Sequence, residues 1–153
     1  VRTPLLAHTA SAEALLAADH IAGKDPKPLD YNLNPNCTYS NPEVASVGMT
    51  EEAAIEAGYT IKTGKFPFSA LGKARIMNQI DGFVKVVADA QYDEILGVHI
   101  IGPRATDLIA EASMGMKLET TVEEMAHTIH AHPTLPEAVL EAAHAAMGRP
   151  IHM

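Results

Sequence analysis

Residues 83–102 read FVKVVADAQYDEILGVHIIG, and this stretch decides the fold. It contains two runs rich in β-branched residues, Phe83–Asp89 and Ile95–Gly102, each with the length of an ordinary strand. Residues 91–94 between them are polar and suit a hairpin turn. We therefore predict two adjacent antiparallel strands.

Shorter β-like segments precede this hairpin. They are residues 37–39, 43–47 and 59–66. The break at Asn41-Pro42 separates the first two, since proline interrupts a strand. Thr50 stands before two glutamates and Gly58 lies eight residues after Thr50, a pattern that predicts a short helix with Thr50 as its N-cap.

After Gly102 the apolar residues recur at helical spacing. We predict helices over residues 103–118, 121–129 and 134–147, with Thr134 as the N-cap of the last. A run of strands followed by a run of helices is typical of an α+β domain. We expect an antiparallel sheet with helices packed on one of its faces.

The first 35 residues have a different character. A helix is predicted from a cap at Thr3 to a stop at Gly23, and residues 23–28 form a polar connector with two prolines. We predict a domain boundary here, with residues 1–35 as one unit and residues 36–153 as the other.

Composition limits the classes of function. The chain has 153 residues, 47% of them hydrophobic, and a formal charge of −8 without a cluster of Lys or Arg, so we expect neither nucleic-acid nor membrane binding. No apolar run approaches the roughly 20 residues that cross a bilayer. The single Cys37 fits a reducing compartment. We expect a cytoplasmic location rather than the mitochondrial matrix.

Titratable side chains are concentrated in residues 127–137, which read HTIHAHPTLPE. Imidazole can take and give a proton near neutral pH, and a carboxylate beside it orients the ring and raises its basicity. Pro133 holds His132 in a rigid turn just before a predicted helix, and Glu137 lies in the first turn of that helix. His132 and Glu137 are therefore a candidate acid/base pair.

Two other interpretations remain open on the residues alone. Thr134 and Glu137 fit a capping box, in which the carboxylate bonds to the backbone and has less freedom to orient a ring. His127, His130 and His132 could bind a metal, with Glu123 or Glu124 adding oxygen, but their spacing is not a standard zinc pattern. We predict no metal site. Cys37 is interpreted as a small buried hydrophobe.

Residues 130–138, HAHPTLPEA, resemble the C-terminal active-site motif of the dihydrolipoamide dehydrogenases, within the flavin-dependent pyridine nucleotide-disulfide oxidoreductase family. Further landmarks of that family follow in the same order along the chain. They are residues 39–48, 66–74, 82–85, 96–102 and 148–152.

The resemblance implies a fold and a set of roles. Residues 36–153 would be the interface domain, through which the family forms its homodimer, and residues 1–35 the last helix of the FAD domain with a linker. Backbone near Leu6, Ala7 and His8 would lie against the flavin. His132 would act as acid and base toward dihydrolipoamide, Glu137 would hold its ring, and His132 and Pro133 would face the flavin of the other subunit. NAD⁺ would take the electrons.

The family's dinucleotide fingerprint, redox cysteine pair and NAD domain do not occur in this sequence. We therefore expect the C-terminal part of such an enzyme, inactive alone and without stably bound FAD or NAD. Two alternatives are another disulfide reductase of the family, such as a glutathione reductase, and a non-catalytic dimerisation domain. The latter would dock the subunit-binding domain of an acyltransferase.

Overall fold

The computed structural model of the protein describes residues 4–153, so the predicted cap at Thr3 lies outside the described residues. Six α-helices are described: α1 (Ala7–Ile21), α2 (Glu51–Glu56), α3 (Gly72–Ile76), α4 (Ala105–Lys117), α5 (Val122–His127) and α6 (Glu137–Ala146). The strands are β1 (Asn36–Thr38), β2 (Glu43–Gly48), β3 (Ile61–Pro67), β4 (Phe83–Asp89) and β5 (Ile95–Gly102). None of these helices has the length and apolarity needed to cross a membrane.

The five strands form one antiparallel sheet in the order β1-β2-β5-β4-β3. The predicted hairpin is its centre: β4 pairs with β5 from Phe83 opposite Ile101 to Ala88 opposite Ile95, with an irregularity between Val87 and Ala88. Because sequence neighbours pair directly, the central strands need only a short turn between them. The predicted α+β fold with an antiparallel sheet is confirmed.

Helices cover both faces of the sheet, although to different extents. On one face α4 packs on β2 and β5, and α6 packs on β3 and β4. On the other face Ala54 of α2 forms a smaller apolar cluster with Val87 and Leu96. The prediction that the helices cover one face is therefore incomplete. The short helix α2 has a single buried residue, Ala54, so its periodicity could not reveal which face it covers.

The close approach of α6 to β3 depends on Gly64. A Cβ at this position would lie 2.0 Å from the carbonyl oxygen of Ala142 and 2.2 Å from the amide nitrogen of Ala146. Backbone atoms of a helix cannot yield as a flexible side chain can. The position of α6 on the sheet is therefore set by the absence of a side chain at Gly64 and by the alanines on the facing side of α6.

One helix cap agrees with the prediction, and another comes from a residue distant in the sequence. Thr50 is the N-cap of α2, as predicted, since its side chain accepts a hydrogen bond from the amide of Ala53. The start of α4 is instead fixed by Glu43 of β2, which accepts from both the amide and the hydroxyl of Thr106, at 2.9 and 2.7 Å. These bonds hold the pKa of Glu43 below its ordinary value.

Replacing Gly64 by Ala should destabilise the fold by at least about 2 kcal/mol, because the added methyl group forces α6 away from β3. Gly72 is the matched control, since a Cβ there would meet no atom within 4 Å. Urea unfolding of the two variants checks this. Equal midpoints for Gly64→Ala and Gly72→Ala would show that the contact is not needed.

Replacing Glu43 by Gln should cost about 1 to 2 kcal/mol at neutral pH, since it removes the charged cap of α4. Because the folded-state pKa of Glu43 lies below the unfolded value, the stabilisation is complete above that value, about pH 4.3, and is lost as the pH falls through the folded pKa. Thermal unfolding between pH 7 and 3 measures the difference between wild type and variant, which should shrink at the acidic end. Glu56→Gln, at an exposed position of α2, is the matched control.

Candidate active site

His132 and Glu137 lie in direct contact. Nδ1 of His132 is 2.7 Å from Oε1 of Glu137, which is the first residue of α6. The side chain of Glu137 is 15% exposed, whereas that of His132 is 75% exposed, so a largely covered carboxylate holds an accessible ring. The peptide bond between His132 and Pro133 is cis.

Glu137 also bonds to the backbone through its second oxygen. Oε2 accepts a hydrogen bond from the amide of Thr134 at 2.7 Å. The predicted competition between capping and ring orientation is therefore absent, because each role uses a different carboxylate oxygen. The prediction that Thr134 is the N-cap is wrong: α6 begins at Glu137 after Pro136, and the hydroxyl of Thr134 donates to the carbonyl of Ala131 at 2.6 Å instead.

The surroundings of Glu137 favour its ionised form. Burial raises the pKa of this carboxyl, but the amide of Thr134 and the ring of His132 together outweigh burial, so the pKa lies below its ordinary value. An ionised carboxylate only accepts hydrogen bonds, so Nδ1 of His132 must be the donor. In the neutral ring this leaves the lone pair on Nε2, where a proton can be taken up.

The pair borders a cleft of about 280 Å³, whose apolar wall includes Phe66, Leu71 and Leu140. Glu141 and His152 line the same cleft. The buried carboxylate of Glu141 accepts from the amide of Ile151 at 3.0 Å, and its Oε1 lies 2.5 Å from Nδ1 of His152. The C-terminal segment is thereby fastened to α6.

The sequence analysis did not identify this second pair. Glu137 and Glu141 are four positions apart, so they lie on the same face of α6. That spacing was a usable signal for Glu141. The partner of Glu141 was not readable from the sequence, because the segment that contains His152 has no periodic pattern.

The three clustered histidines have separate surroundings. Nε2 of His130 lies 2.6 Å from Oε1 of Glu111 on α4, and Nδ1 lies 2.8 Å from the carbonyl oxygen of Thr128. His127 is exposed at the end of α5. Among residues 4–153 no group of three or more His, Cys, Asp or Glu side chains could hold a metal ion. The structure thus does not assemble the alternative metal site.

Cys37 lies in β1, half-buried against the main core. Burial raises the pKa of its thiol, and the negative charge of Glu43 adds to that effect. A raised pKa disfavours the thiolate, which is the reactive form of cysteine. The environment agrees with the interpretation of Cys37 as a small packing residue.

The predicted flavin-contacting residues lie elsewhere. Leu6 is the N-cap of α1, Ala7 and His8 are its first two residues, and Nε2 of His8 is 2.9 Å from the carbonyl oxygen of Pro35. His8 borders a cleft of about 420 Å³ that also includes Tyr31 and Lys117. His132 is not among the residues that line it. Within residues 4–153, the structure does not bring His8 and His132 into one cleft.

Known proteins resemble this chain in sequence and in fold. Residues 34–143 match the model of the pyridine nucleotide-disulphide oxidoreductase dimerisation domain. The dihydrolipoyl dehydrogenase of Bacillus subtilis is 55% identical over 96% of this chain and 31% of its own length. The mitochondrial dihydrolipoyl dehydrogenase of Pisum sativum is 43% identical over 98% of this chain and 30% of its own length. The chain thus spans just under a third of these relatives.

Solved structures share the fold. LpdA from Mycobacterium tuberculosis superposes with a TM-score of 0.84 at 25% identity, over 90% of this chain and 30% of its own. The HOCl-induced flavoprotein disulfide reductase RclA from Escherichia coli gives a TM-score of 0.78 at 24% identity, over 86% of this chain and 31% of its own. Because the domain match runs through all five strands and into α6, the chain belongs to the pyridine nucleotide-disulphide oxidoreductase dimerisation-domain family.

Proposed function

We propose that this chain is the C-terminal part of a flavin-dependent dihydrolipoamide dehydrogenase. In that enzyme residues 36–153 form the interface domain of a homodimer and contribute His132 and Glu137 as an acid/base pair. The 2.7 Å contact between the ring of His132 and the carboxylate of Glu137 carries the proposal, because it fixes the tautomer needed for proton transfer. The relatives named dihydrolipoyl dehydrogenase support the choice of substrate over that of a glutathione reductase.

The acid/base role follows from thiol chemistry. A free thiol has a pKa of about 8.5, so little thiolate is present at neutral pH. Only the thiolate attacks a disulfide efficiently. Nε2 of His132 would take the proton from one thiol of dihydrolipoamide as its sulfur attacks the redox disulfide of the enzyme. Glu137 would stabilise the imidazolium that forms, while its second oxygen keeps the carboxylate in place.

In the overall reaction, the electrons would pass through groups that lie outside this chain. Dihydrolipoamide loses two electrons and two protons as its two sulfurs join, and NAD⁺ gains two electrons and one proton. FAD, when bound, supplies the electron carrier between the thiols and NAD⁺. The second proton leaves to solvent from His132, which returns to its neutral form.

We expect the start of α1 to border one edge of a flavin. Leu6, the residue before this helix, is extended, and no side chain accepts a hydrogen bond at this helix start. The amides of the first turn can therefore donate to an acceptor such as a flavin carbonyl. Leu6, Ala7 and His8 would hold the flavin of their own subunit, and His132 and Pro133 would face that of the other. Residues 1–35 would thus end the FAD domain.

The assembly and its surroundings follow from the same proposal. A homodimer is the expected state, and the subunit-binding domain of an acyltransferase is the expected further partner. A charge of −8 on this chain favours a basic docking surface on that domain. We expect the enzyme in the cytoplasm.

In the full-length enzyme, His132→Gln should lower dihydrolipoamide turnover by about a hundredfold or more, because glutamine cannot take up the thiol proton. Flavin content should stay unchanged. Reduction of ferricyanide by NADH should also persist, since that route deprotonates no substrate thiol. His127→Gln, at the exposed end of α5, is the matched control. Wild-type turnover in His132→Gln would remove the basis for the catalytic assignment.

The isolated chain should neither absorb as a flavoprotein nor reduce NAD⁺ with dihydrolipoamide, because it offers a single edge of a flavin site and one cysteine. Absorbance spectra and an NAD⁺-reduction assay on the purified chain test this. Stoichiometric flavin absorbance would contradict the proposal that the rest of the FAD site lies outside this chain.

A further inference from the structure

The imidazole of His130 is nearly enclosed, although His132 two residues later is accessible. The side chain of His130 is 5% exposed. It lies between the carbonyl oxygen of Thr128, 2.8 Å from Nδ1, and the carboxylate of Glu111, 2.6 Å from Nε2. Both ring nitrogens therefore face oxygen atoms at hydrogen-bond distance.

Both oxygen neighbours of this ring are hydrogen-bond acceptors. A carbonyl oxygen accepts and cannot donate, and a carboxylate likewise only accepts. A neutral imidazole carries one N–H, whereas both contacts of His130 call for a donor. Only a ring that carries a proton on both nitrogens donates at both contacts, and the carboxylate of Glu111 then lies opposite its charge. Because both nitrogens are engaged, His130 is not available as a metal ligand.

The pair connects α4 to the loop before α6. Glu111 belongs to α4, and His130 belongs to the loop between α5 and α6 that also contains His132. The other end of the loop is held by Glu137 through the amide of Thr134. On the α5 side, the hydroxyl of Thr128 donates to the carbonyl of Glu124 at 2.8 Å. His130 is the point at which this loop is fastened to α4.

We propose that the imidazolium of His130 and the carboxylate of Glu111 form a charged pair that positions the loop of His132 for proton transfer. The inference rests on the proposed acid/base role of His132. His130 and Glu111 are positioning residues, since they act through His132 and not on the substrate. The geometry of a proton transfer is demanding, and a displacement of about 1 Å can lower a rate by about a hundredfold.

The test uses the full-length homodimeric flavoenzyme with three changes: Glu111→Gln, His130→Gln and both together. Each single change should lower kcat with dihydrolipoamide about tenfold or more and leave KM within about twofold, since substrate contacts are untouched. The double change should be no worse than either single one, because the two groups work as a unit. Reduction of ferricyanide by NADH should equal that of wild type.

Glu111→Gln is the sharpest single variant. Its side chain is one-third exposed, so the change is unlike a core substitution, and glutamine retains size and a carbonyl acceptor while losing the charge. Glu111→Asp keeps the charge and should recover part of the lost kcat. His127→Gln, in the same stretch of chain but exposed, should behave as wild type in both reactions.

Several outcomes would overturn the inference. Wild-type kcat in Glu111→Gln, or no advantage of Glu111→Asp over Glu111→Gln, would show that the charge is not needed. Equal losses in the dihydrolipoamide and ferricyanide reactions would indicate general damage to the fold instead of positioning. If His132→Gln loses turnover and the Glu111 and His130 variants do not, only this inference fails; if His132→Gln keeps turnover, the proposed function fails.

Discussion

The contact between α6 and β3 at Gly64 is the constraint on which the candidate site depends. Backbone atoms of Ala142 and Ala146 lie where any side chain at position 64 would have to be, so the helix cannot slide or rotate without a clash or a void. Glu137 and Glu141 project from this fixed helix one turn apart. One holds the loop of His132 and the other holds the C-terminal segment, so both borders of the cleft are set by the packing of α6.

Three carboxylates in this domain each accept hydrogen bonds from more than one donor. Glu137 binds a ring and an amide, Glu141 binds a ring and an amide, and Glu43 binds a hydroxyl and an amide. A carboxylate withdrawn from water must have its oxygens satisfied, and donors from another segment of the chain do so while joining that segment to the carboxylate's own. At Glu137 and Glu141 the same carboxylate therefore stabilises the fold and orients a histidine, so a backbone bond and ring orientation need not exclude each other.

Local features of the fold could be predicted from the sequence, whereas the contacts between residues distant in the sequence could not. The hairpin of β4 and β5 and the cap at Thr50 depend on residues close in the chain, and the pattern reveals them. The cap of α4 comes from Glu43, 63 residues before Thr106, and Glu111 meets His130 across 19 residues. Such contacts depend on how elements pack, so a single sequence indicates the histidine and its nearby glutamate but not the more distant partners.

The exposure of His132 is informative about the assembly. A ring that is 75% exposed is open to water, and proton transfer in an active site is favoured when water is excluded. The described residues cover the carboxylate of Glu137 but leave the reactive side of its partner open. In the proposed homodimer the opposing subunit would close this side and bring the redox disulfide to Nε2. The proposed acid/base pair thus has a covered carboxylate and an open ring. This arrangement suits an active site shared by two subunits, since each subunit must hold its own residues in place before the two associate.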